Sequence, residues 1–239
     1  KQFFSKLDYE LAETVTLYGQ FMYVDSEVHT SSGGSLTQFG TLTTIPVTNP
    51  FIPNDLRTLL ATRTNAAAPF TWNGRYVGLP AKSWDETYTT SQYLAGVRGD
   101  LPWRNWSWDI YGSYDTTDHL QQNYHAVLKS RVQTLLNAPD GGASICAGGF
   151  NPFGLGNSSL ISPACQEYMT TTAKSTEDLT QTNVQGVMQG GLVDLPAGEL
   201  KVALLGAYRE NKYVSSPDSQ LAAQNIEAVV LYPWLLMPM

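Results

Sequence analysis

The chain carries three histidines, His29, His119 and His125, and two cysteines, Cys146 and Cys165. Imidazole and thiolate most readily bind metals or attack electrophiles near neutral pH. His119 and His125 fall close together, beside Asp115 and Asp118, and imidazole next to carboxylate is a common metal donor set. That stretch reads as a connection, where histidines ordinarily face solvent, so no metal site is expected. No HExxH, G-x-S-x-G or glycine-lysine-serine/threonine phosphate loop occurs. No serine is marked as activated, although a serine–histidine–acid triad is assembled by folding rather than by spacing. The expectation is no enzyme and no cofactor.

A second set of residues suits binding. Trp72, Tyr76, Tyr124, Phe150 and Phe153 lie in long polar connections, with Asn151 between the last two. Loops carry binding groups more often than strands do, so these six are the candidate ligand-binding residues. Packing of the loops onto one another is the competing reading. The two cysteines bound CAGGFNPFGLGNSSLISPAC, 146–165, a segment without a charged residue. Either they close this loop as a disulfide, worth about 3 kcal/mol on the chain-entropy account, or they stay as two thiols. The isolated, glycine-rich setting favours the disulfide.

The elements that would position these groups read as strands. In Val15–Tyr23, valine, leucine, glycine, phenylalanine and tyrosine alternate with Thr16, Tyr18, Gln20 and Met22, and the run continues to about Thr30. Period two is the mark of a half-covered strand. KLDYEL precedes it across a tight AET turn. A second hairpin runs through 90–101, turns at LPWRN, and continues through 106–115. A third runs through 183–192, turns at DLPAGE, and continues from Leu200 to Tyr208. Ile226–Leu231 is a seventh candidate strand. Helical spacing appears in 53–63, with Leu56, Leu59 and Leu60 and a cap at Asn54 or Asp55, and again in 122–138.

The hairpin turns are short, whereas the connections at the other end are long: 31–86, 118–175 and 214–225. Short turns on one side and long loops on the other are the outer-membrane barrel pattern. Trp103, Trp106 and Trp108 stand at the short-turn end, where an aromatic girdle would lie. A soluble sandwich with insertions is the alternative, but faces of Gln, Asn, Ser and Asp suit a wet lumen better than a sandwich core. Only 15% of residues are charged and the net charge is −7, so no basic patch invites nucleic acid. No run reaches the ~20 apolar residues of a membrane helix, and no secretory leader is visible at the start.

Three segments resemble the barrel of TonB-dependent outer-membrane receptors: CAGGFNPFG with ISPACQEY, YLAGVRGDLPWRNWSWDIYGSYD, and GVMQGGLVDLPAGELKVALLGAYREN. TNPFIPND, 48–55, adds a second Asn-Pro-Phe triplet. The resemblance spans about residues 7 to 225. It implies an all-β fold of antiparallel hairpins from an outer-membrane β-barrel, with short helices in long extracellular loops. It also implies location in a Gram-negative outer membrane and uptake of a scarce solute: siderophore-iron, haem, cobalamin or a saccharide. Implied partners are outer-membrane lipid, the small-molecule or metal-chelate ligand, and TonB, which acts through a plug domain. Family barrels have about 22 strands; six or seven are visible here, without a plug. Residues 1–239 therefore read as a partial barrel, not transport-competent alone, with self-association through open sheet edges expected. The alternative is a self-folding soluble all-β fragment, monomeric or oligomeric, with ligand binding or weak hydrolase activity.

Overall fold

The computed structural model describes residues 1–31, 44–72, 78–154 and 161–227, with the backbone of 38–39 and 74–75. The fold is all-β. Among the described residues the strands are β1 (Gln2–Ala12), β2 (Val15–Ser31), β3 (Gln38–Phe39), β4 (Gly74–Arg75), β5 (Ser83–Leu101), β6 (Trp106–Val127), β7 (Thr170–Leu195) and β8 (Gly198–Ser216). The helices among them are α1 (Asn54–Ala61), α2 (Lys129–Asn137), α3 (Pro163–Met169) and α4 (Ser219–Ala222). Six strands make one sheet in the order β1-β2-β5-β6-β7-β8, and β3 pairs with β4. The β1–β2 and β7–β8 ladders are antiparallel, with Tyr9 opposite Leu17 and Val184 opposite Tyr208.

The three hairpins fall where the alternation places them. Their tips are tight: Ala12 pairs with Val15, and Leu195 with Gly198. In the middle hairpin, Trp106 N–H donates to the Trp103 carbonyl at 3.2 Å across Arg104 and Asn105. Both tip residues have positive φ, 48° and 50°, the geometry whose twist matches that of paired strands.

β2 ends at Ser31, next to the Thr30 end of its alternating run, but β5, β6 and β7 are longer than the sequence reading allows. β6 runs through residue 127, so 122–127 are strand, and helix α2 begins only at Lys129. His119 and His125 consequently sit on a strand, not in a loop. Ladder hydrogen bonds with neighbouring strands outweigh the weak helical periodicity of 122–128. In α1 the capping position is Pro53, without a side-chain cap; Asn54 is already helical and Asp55 bonds the Leu56 N–H. Of the seventh strand, Ile226 makes a single antiparallel bridge to Leu128, while 228–231 lie outside the described residues, as does Tyr76.

The chain forms two compact units, 1–28 with 86–120 and 176–216, and 29–85 with 121–175 and 217–239. The second holds the buried apolar core: Ile45, Val132, Leu135, Leu136, Phe150 and Met169, closed by Cys146 and Cys165. Those cysteines are bonded, with Cα atoms 5.0 Å apart. Pro163 opens α3 and the Ser162 hydroxyl oxygen accepts from the Cys165 N–H, which fixes the second sulfur. A smaller cluster joins Ala126, Leu128, Ala173 and Ile226.

The turn leading into the disulfide rests on Asp140. Its carboxylate accepts from the N–H of Gly142 and of Ser144, at 2.9 and 2.8 Å. Hydrogen bonds from Ser144, side chain then backbone, hold the carboxyl below its usual range. A depressed folded-state pKa contributes stability above the unfolded value near 3.9, lost as pH falls through the folded one. Amides of 140–146 should therefore lose exchange protection below about pH 4, after correction for intrinsic rates. Asp140→Asn should show no such acid step.

Candidate functional site

The first unit is built differently from the second. Its sheet has one apolar and one polar face, and the apolar face is exposed. On that face lie Phe3, Leu7 and Tyr9 of β1, Leu17 of β2, Tyr93 of β5, Ile110 and Tyr114 of β6, Val184 of β7, and Leu204 and Tyr208 of β8. All are exposed; Phe3 is 56% and Leu204 and Tyr208 each 60% accessible. Large apolar side chains in such number and contiguity mark an interaction surface in a soluble or membrane protein alike.

The apolar stretch has a fixed extent. It covers 15–23 on β2, 93–101 on β5, 106–114 on β6 and 200–208 on β8, nine residues on each. At the end away from the short turns it stops on a tyrosine in each case: Tyr23, Tyr93, Tyr114 and Tyr208. The next residue on the same face is Asp25, Ser91, Thr116 and Glu210 respectively. At the short-turn end stand the tryptophans. Trp103 is exposed and stacks on Trp106 at 5.8 Å. Trp106 itself is buried, its ring over Gly190 and its indole N–H donating to the Gly191 carbonyl at 2.8 Å. A tilted strand needs about 9–11 residues to cross a bilayer's hydrocarbon core.

The opposite face is hydrogen-bonded within itself. Tyr18 donates to Asp109 at 2.5 Å, Arg98 pairs with Asp8 at 3.0 Å and covers the Tyr18 ring at 5.3 Å. Thr90 bonds Thr117, and Gln181 bonds Asn211. Large apolar exceptions on it include Phe4, Leu179, Leu205 and Tyr213, all exposed, and Leu94. Gly96 is required here: a Cβ would lie 2.5 Å from the Tyr18 ring and 2.7 Å from Tyr111. Gly96→Ala should cost about 1–3 kcal/mol by overpacking, measured as a shift in denaturation midpoint at unchanged slope. Gly112→Ala, with its nearest atom at 3.7 Å, is the matched control and should cost little.

The histidines are held singly. His29 Nδ1 bonds Asp85 at 2.5 Å, and Asp85 is drawn below the usual carboxylate range by His29 and then by the Tyr124 hydroxyl. His119 stacks on Tyr88 at 4.1 Å, with Nδ1 3.3 Å from Glu177. His125, at φ 57°, donates from Nδ1 to the Ala81 carbonyl at 2.9 Å. Among the described residues no group of three or more His, Cys, Asp or Glu side chains could hold a metal ion.

The candidate binding residues separate. Phe150 is buried at 2% accessibility within the loop core. Phe153 packs with Trp72 at 5.2 Å and Phe70 at 6.4 Å against that core, while Tyr124 belongs to the Asp85 group. Asn151 accepts from the Phe153 N–H at 2.9 Å, just as Asn49 accepts from Phe51 at 3.0 Å. Both Asn-Pro-Phe triplets therefore form the same side-chain turn, which accounts physically for their repetition. The tyrosine boundary and the Asp8–Arg98–Tyr18–Asp109 network escape sequence reading of hairpins one at a time. Laying the strands side by side by apolar run length would have exposed the first. No protein-family model, curated protein or solved structure matches the chain.

Proposed function

We propose that the first unit is a section of outer-membrane β-barrel wall, with its apolar face toward lipid and its polar face toward the lumen. The observation that carries this reading is the nine-residue apolar band, ended by tyrosines on β2, β5, β6 and β8 and exposed, opposite a polar face. Among the described residues β1 and β8 have a strand on one side only, which fits a wall that continues on both sides. Together with the resemblance of the hairpin and loop segments, this supports part of a TonB-dependent receptor for a scarce solute. The disulfide-closed second unit then serves as extracellular loop structure. Sequencing the gene around the segment tests the receptor assignment. It should encode a plug domain and further alternating strands in the same frame. A frame confined to these 239 residues would contradict transport.

A further inference from the structure

We draw no further inference here: the strongest candidate, the side-chain cluster of Tyr88, His119 and Glu177 on the polar face of β5, β6 and β7, with His119 Nε2 buried and unpaired among the described residues, brings together fewer than three His, Cys, Asp or Glu side chains, and nothing in the structure shows what ligand would reach that nitrogen.

Discussion

Leu204→Arg, in the protein inserted in a bilayer, should lower the unfolding free energy by about 2–4 kcal/mol, the cost of an arginine near the midplane on a lipid-facing barrel position. Leu204 is the third of the five apolar positions of β8, between Leu200 and Tyr208, so it lies midway through the band. Leu205, one residue on, is equally exposed but faces the polar side. Leu205→Arg should change stability by no more than about 0.5 kcal/mol, as for an ordinary solvated site. The contrast between neighbours carries the argument, because strand propensity and edge position are nearly the same for both. Urea titration in vesicles, with folding followed by tryptophan fluorescence, gives both values. Equal, small effects at 204 and 205 would mean that water covers both faces.

The second large effect concerns the loop unit. Replacing Cys146 and Cys165 together by alanine should remove about 3 kcal/mol from the stability of that unit, since the bond closes a loop of under twenty residues. The sulfurs are also core atoms: Cys165 is fully buried and Cys146 nearly so, beside Phe150 and Met169. Alanine adds the loss of that packing, which places the expected cost at or above the chain-entropy figure. The strands of the first unit share none of these contacts and should be unaffected. Limited proteolysis reads the difference directly, with new cleavage within 146–165 and none within 106–114 or 200–208. Protection of the loop in the alanine variant would show that the surrounding core holds it without the bond.

How much of this was legible in the sequence depends on whether the information was local. The hairpins were, because Val15–Tyr23 and Leu200–Tyr208 alternate strictly and their turns are short. The disulfide was too, given only two cysteines in one glycine-rich loop. The far half of β2 was also read, to about Thr30, but those of β6 and β7 were not. Residues 116–125 and 170–182 are mostly polar on both faces, so they carry little alternation, and their strand state comes from pairing with neighbours. For the same reason His119 and His125 read as loop residues, and 122–128 read as helix. Among the candidate binding residues, type indicated burial or recognition equally well. Phe150 proved to be core, and Asn151 a turn former whose twin, Asn49, does the same at the first triplet. The tyrosine boundary required comparison across strands that lie far apart in sequence, with Tyr23 and Tyr208 at opposite ends of the chain.

The central claim is that one face of the sheet lies in hydrocarbon and the other in water. Spin labels placed singly at positions 199 to 209 of β8, in vesicles, measure this by collision with oxygen and with a water-soluble nickel chelate. The account predicts strict alternation. Positions 200, 202, 204, 206 and 208 should be accessible to oxygen and shielded from nickel, most strongly at 204, with the pattern reversed at the odd positions and lost beyond Tyr208. Equal nickel accessibility at even and odd positions would contradict the account.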